Sequence, residues 1–233
     1  MLIVVTFAPC HIVTKWLNRG ASGWPHRFLR AAAHIVGLRP TTQGAPAMPH
    51  SFLVANHVSW LDILALGATT GTAFISKAEV KTSPLIGWLA DQNHTVYVDR
   101  ADRGGAHDQV RQIAEELKTE QPLTVFPEGT TGDGRELLPF RSTLLHAVAP
   151  PPPGAIVRPV ALDYGEAVGQ IIWVGGEPGV TNALRILGRK GVLPMTVKLL
   201  DPLPPTDNRK LLAKAAHDAI AAALPSLRSG SAL

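Results

Sequence analysis

The sequence predicts an α/β fold: a single layered domain with a mostly parallel or mixed sheet flanked by helices, preceded by an N-terminal membrane-interfacial helical segment. Three observations carry that prediction. Strand-length apolar runs alternate with helical patterns from Ser51 onward, as layered α/β domains require. Of 233 residues, 45% are hydrophobic and 17% charged, which excludes a disordered chain and is enough for one sizeable core. The first acidic residue is Asp62, so residues 1–61 carry +5 and the remainder −1. Such asymmetry marks a segment that meets something anionic. The division is therefore residues 1–40 as the membrane-associated segment and 41–233 as the domain.

Met1–Val13 is apolar, but a membrane span needs about 20 such residues, and His11 and Lys15 interrupt any extension. Its positive charge follows the apolar run, the reverse of a signal peptide. Lys15, Arg19, Arg27 and Arg30 are interleaved with Trp16, Trp24, Phe28 and Leu29, the pattern of a helix lying in an anionic membrane surface. The plainer alternative is a helix packed on the core. Nucleic-acid binding would show a denser basic run, so no nucleic-acid partner is expected. The expected location is the cytoplasmic face of a membrane, the inner one in a bacterium.

After Arg39-Pro40, Thr41–Pro49 reads as turns. Strands are expected at Ser51–Ala55, Ala73–Ser76, Thr95–Asp99, Leu123–Phe126, Ala155–Asp163, Gln170–Val174 and Met195–Leu200. Helices are expected at Leu61–Ala68, Ala78–Leu89, Gly105–Leu117 and Phe140–Val148. The third places Val110, Ile113, Ala114 and Leu117 on one face. A last helix, Asp207–Leu224, opens with Asp207 as its cap.

In such folds chemistry collects where strands end. His57 and Asp62 follow the first strand. A carboxylate that holds one imidazole nitrogen protonated leaves the other free to accept a proton. Pairing requires His57 before the helix and Asp62 in its first turn, an arrangement that Ser59 as a cap permits. The same Ser59-x-x-Asp62 pattern is explained as well by a capping box alone, and on these residues that is the commoner explanation. Arg100 and Arg103 follow one strand and Lys77 ends its neighbour, and such cations suit an anionic group, although on its own the segment reads better as a solvated turn in which Asp99, Asp102 and the arginines pair with each other. Pro127-Glu128-Gly129-Thr130-Thr131-Gly132-Asp133-Gly134 places three glycines in six residues, a loop able to turn backbone N–H groups toward an anion.

Other classes are excluded. There is no Gly-x-Ser-x-Gly elbow, no P-loop and no His-Glu-x-x-His. The single cysteine, Cys10, allows no internal disulfide or cysteine cluster, and no metal or cofactor is expected.

Taken in order, four blocks resemble the glycerolipid acyltransferase family typified by lysophosphatidic acid acyltransferases. Asn56-His57-Val58-Ser59-Trp60-Leu61-Asp62 is similar to its Asn-His-x4-Asp block, and Val96-Tyr97-Val98-Asp99-Arg100 to its second. Phe126-Pro127-Glu128-Gly129-Thr130 matches the third, and Val157-Arg158-Pro159-Val160 resembles the fourth. The resemblance implies acyl transfer from a thioester, acyl-coenzyme A or acyl-carrier protein, to a lysolipid hydroxyl. It makes His57 the general base and Asp62 its orienting partner. Arg100, Lys77, Glu128, Gly129 and Thr130 would then serve the acceptor and Pro159 the acyl-donor side. The first acceptor implied is 1-acylglycerol-3-phosphate. The family's phosphatidate-forming members place an arginine after the threonine of the third block, whereas here Thr131-Gly132-Asp133-Gly134 follows. That continuation looks closer to lyso-ornithine lipid acyltransferases, the second acceptor considered. A non-catalytic lipid-binding protein is the alternative of a different class.

Overall fold

The computed structural model of the chain describes residues 23–98, 106–173 and 176–224. Seven strands form one mixed sheet: β1 (Leu38–Gln43), β2 (Ser51–Ala55), β3 (Ala73–Lys77), β4 (Val96–Val98), β5 (Leu123–Val125), β6 (Ile156–Asp163) and β7 (Leu193–Leu199). Their order is β1-β7-β6-β2-β5-β3-β4. β2, the middle strand, is buried at every residue, as a strand covered on both faces must be. β2, β3, β4, β5 and β6 run parallel, while β7 is antiparallel to β6 and parallel to β1. The carboxyl ends of five strands therefore share one edge of the sheet.

The helices are α1 (Trp24–Ile35), α2 (Leu61–Thr70), α3 (Pro84–Gln92), α4 (Ala106–Glu116), α5 (Gly179–Leu187) and α6 (Arg209–Ala223). One face of the sheet packs Leu53, Val160, Val197 and Leu199 against Ala33 of α1, Leu61, Ala65 and Leu66 of α2, and Ile186 of α5. The other packs Phe52, Val54, Val125 and Val157 against Ile113 of α4 and Leu212, Ala213 and Ala216 of α6. α1 lies close on α2 because Gly67 has no side chain: a Cβ there would sit 2.3 Å from Leu29 Cδ1. His26 Nε2 adds a 3.0 Å contact with the carbonyl of Ala68.

Several expectations need correction. Gln170–Val174 is not a strand over its described residues: Gly165–Gln170 is a 3-10 helix, and Ile171 to Trp173 pair with no strand. The reason is specific. The Arg185 guanidinium takes the carbonyls of Gln170 and Ile172 that a neighbouring strand would otherwise bond. α5 was not foreseen, and β1 occupies the start of the stretch read as turns. Pro40 is tolerated there because β1 is an edge strand. The expected helix Ala78–Leu89 is a 3-10 turn, Ala78–Thr82, followed by α3, with Ser83 before Pro84 held in an extended conformation. Phe140–Val148 shortens to a 3-10 helix, Ser142–Val148, where buried Leu145 and Val148 stand three apart. α6 is capped by Asn208, not Asp207, its side-chain oxygen accepting from the backbone N–H of Lys210 and Leu211.

Candidate active site

The chain leaves β2 at Asn56. That side chain continues the sheet by itself, its amide donating to Leu162 O at 3.1 Å and its oxygen accepting from Leu162 N at 2.7 Å. This clamp fixes where β2 ends relative to β6 and thereby aims His57, the next residue, across the strand ends. The His57 ring stacks on Phe126 with centroids 4.1 Å apart, and Phe126 leaves the neighbouring strand β5.

His57 Nδ1 lies 2.9 Å from Asp62 Oδ2. The same oxygen accepts from the backbone N–H of Val58 at 2.7 Å and of Ser59 at 2.9 Å, and Asp62 is fully buried in the first turn of α2. Closing the turn before α2 and holding the imidazole are thus one structure. The serine half of a capping box is replaced: Ser59 Oγ accepts from Leu61 N at 3.4 Å, not from Asp62 N. The other carboxylate oxygen accepts the Tyr164 hydroxyl at 2.6 Å. With its acceptor positions filled by four donors, the carboxylate assigns the Nδ1 proton, so Nε2 carries the lone pair. Nε2 has no hydrogen-bond partner among the described residues, and the His57 side chain is 19% exposed, into a cleft.

Glu128 lines the cleft and braces the turn. Its Oε1 accepts the His57 backbone N–H at 2.7 Å and its Oε2 the Leu138 N–H at 3.1 Å. Burial pushes its carboxyl up to about 7, with the two N–H donors pulling the other way and the Asp62 charge adding to the rise. The glycine-rich loop returns the contact, Gly132 N donating to His57 O at 2.8 Å, while Gly129 N bonds to Phe126 O at 3.1 Å. These two N–H groups are used internally, so the anion-cradling role expected of the loop does not fall to them.

Gly129 is buried and Thr130 exposed at the same strand-end rim. Lys77 is exposed where β3 ends, on that edge. Arg100 lies outside the described residues. Pro159 is buried in the body of β6, in register with Val54, and does not line the cleft at His57. Its neighbour Arg158 is also buried, with Nη1 and Nη2 donating to the carbonyls of Pro46 and Leu199 at 3.0 and 3.1 Å. Burial lowers its pKa. The sequence reading missed Tyr164, which shares the cleft with His57, Gly132, Gly134 and Val168. Among the described residues no cluster of His, Cys, Asp and Glu could hold a metal, and no helix is long and apolar enough to cross a membrane.

A model described as Acyltransferase matches residues 40–163, the span that holds His57, Asp62, Glu128 and the glycine-rich loop and ends one residue before Tyr164. The chain belongs to the acyltransferase family. A lyso-ornithine lipid O-acyltransferase of Brucella abortus is 34% identical, aligned over 90% of this chain and 86% of its own. A 1-acyl-sn-glycerol-3-phosphate acyltransferase of Neisseria gonorrhoeae is 39% identical over 60% of this chain and 54% of its own. The solved 1-acyl-sn-glycerophosphate acyltransferase of Thermotoga maritima superposes with a TM-score of 0.63 over 90% of this chain and 79% of that one. At 24% identity that likeness shows the fold of this acyltransferase, a single α/β domain with its mixed sheet flanked by helices.

Proposed function

We propose that the enzyme moves a fatty acyl group from a thioester to the hydroxyl of a lysolipid, with His57 as general base. The observation that carries this is the Asp62 carboxylate on Nδ1, which leaves Nε2 facing a strand-end cleft as an acceptor. Nε2 takes the proton of the acceptor hydroxyl as its oxygen forms a bond to the thioester carbonyl carbon. The tetrahedral species collapses with cleavage of the C–S bond, and the departing thiolate receives the proton from the imidazolium. The acyl group passes directly, so no enzyme nucleophile is needed. Arg100 and Lys77 supply positive charge for the acceptor head group, Glu128 and Gly129 hold the turn beside it with Thr130 at its rim, and Pro159 shapes the acyl-donor side through β6. The donor is acyl-carrier protein or coenzyme A thioester, presented at the cytoplasmic face of the membrane.

Lyso-ornithine lipid is the acceptor favoured by the Brucella relative, which aligns along nearly the whole chain, and by the Thr131-Gly132-Asp133-Gly134 continuation. The Neisseria relative supports a second reading, 1-acylglycerol-3-phosphate giving phosphatidic acid. Transfer from a labelled acyl thioester, with both lysolipids offered in parallel, separates them. His57→Ala should keep its fold and lose about 10²–10⁴-fold in turnover. Near-wild-type turnover in that variant would remove His57 from the chemistry.

A further inference from the structure

α5 turns most of its large apolar residues outward. Its buried positions are Asn182, a polar residue, and Ile186, while Val180, Leu184 and Leu187, at i, i+4 and i+7, point outward. Those three, with Ile35 at the end of α1 and Val192, are between 52% and 73% exposed. The orientation is fixed from within. Asn182 Oδ1 accepts from Trp60 Nε1 at 3.2 Å, and its amide donates to Glu177 Oε1 at 2.8 Å. Arg185 closes the network on Glu177 and on the carbonyls of Gln170 and Ile172. Rotating α5 to bury its apolar stripe would strand all of these groups away from their partners.

The stripe continues onto α1. Arg189 donates to Val36 O at 2.7 Å and to Gly191 O at 3.0 Å, and Leu193 N donates to Gly37 O at 2.8 Å. Ile35 and Val192 therefore flank one junction. The charge of the two segments that carry the stripe is one-sided: residues 23–61 and 178–200 contain no Asp or Glu. Arg27 and Arg30 of α1 and Lys190 after α5 are exposed, and Arg27 lies over the Trp24 ring at 5.2 Å. The flanking Glu177 is neutralised by Arg185 at 2.7 Å.

We infer that α5 and α1 together rest on an anionic lipid bilayer, α5 inserting Val180, Leu184 and Leu187 among the acyl chains while the basic residues meet the head groups. An apolar stripe rimmed by cations without counter-acids is complementary to that surface and not to water. The inference rests on the membrane-interfacial reading of the N-terminal segment and extends it to a second element, one bonded through Asn182 and Trp60 to the turn that carries His57 and Asp62.

The test is co-flotation of the full chain with vesicles of phosphatidylcholine, with and without phosphatidylglycerol, read without turnover. Leu184→Asp/Leu187→Asp should weaken binding to the anionic vesicles about tenfold or more. Leu211→Asp, at an exposed position of α6 across the sheet, should leave it unchanged. An environment-sensitive dye on Val180→Cys, in a Cys10→Ser background, should shift to the blue when anionic vesicles are added. If the parent floats and the double variant floats equally well, the α5 proposal falls and the N-terminal reading survives. If the parent does not float, both fall. A dye already blue-shifted without vesicles would show the face covered by the chain's own first residues or a second copy, which also overturns it.

Discussion

The Tyr164 hydroxyl donates to Asp62 Oδ1 at 2.6 Å, joining the end of β6 to the first turn of α2 across 102 residues of sequence. Asp62 is fully buried, and this bond satisfies the one carboxylate oxygen that the His57 turn does not reach. Burial, followed by the Asp62 charge and the hydrogen bond to it, raises the tyrosine pKa well above its ordinary range, so the hydroxyl stays a donor. Asp62 is held from two sides, and its partner imidazole inherits that rigidity.

Tyr164→Phe keeps the ring and removes the donor. The buried oxygen then loses a charge-assisted partner, at a cost of about 1–3 kcal/mol in stability. Because Tyr164 acts on His57 through Asp62, the expected kinetic signature is a fall in kcat of about tenfold with the acceptor KM little changed. Urea unfolding and steady-state kinetics on the variant check both. A raised KM with kcat intact would place Tyr164 in acceptor binding instead.

Glu128 gives the stability a pH dependence with a definite sign. The folded protein holds the Glu128 proton up to about 7, against an ordinary 4.5, so it binds that proton more tightly than the unfolded chain does. The resulting stabilisation is complete below 4.5 and is lost as pH rises toward 7. Glu128→Gln cannot titrate. The unfolding free energy of wild type minus that of the variant should therefore fall by up to about 3 kcal/mol between those limits. Urea midpoints across that pH range measure it, and curves that stay parallel would show that Glu128 is not buried as a titrating group.

The sequence and the structure agree best where the signal is local. His57, Asp62 and the strand that precedes them lie within twelve residues, and the turn that pairs them is the turn that caps α2. Tyr164 was invisible because a lone tyrosine after a strand has no pattern, and its partner lies far away in sequence. α5 was invisible because periodicity assumes that apolar residues face inward, and here Val180, Leu184 and Leu187 face outward while Asn182 is buried beside Ile186. Gln170–Val174 misled because its Ile-Ile-Trp-Val composition suits a strand, whereas its carbonyls are taken by Arg185 from fifteen residues on. Composition reports what a segment can bury, not which partner claims its backbone.

The glycine-rich loop can be tested through Gly134. Its φ of +71° lies in the left-handed region, and a Cβ there would sit 2.2 Å from Val168 Cγ2 and 3.3 Å from Val58 Cγ1. Gly134→Ala therefore carries two penalties: about 1–2 kcal/mol of backbone strain and a steric clash. Only the second depends on Val168. Val168→Ala removes the offending methyl while losing some packing of its own, so in the double variant the two losses should not add. A double-mutant cycle by urea unfolding should give a favourable coupling of about 1 kcal/mol or more. Because both residues line the cleft with His57, the single Gly134→Ala change should also raise the acceptor KM, and the double variant should restore part of it. Strict additivity in the cycle would mean that the loop moves away from Val168 freely, and that the wall it forms beside His57 is not a fixed part of the site.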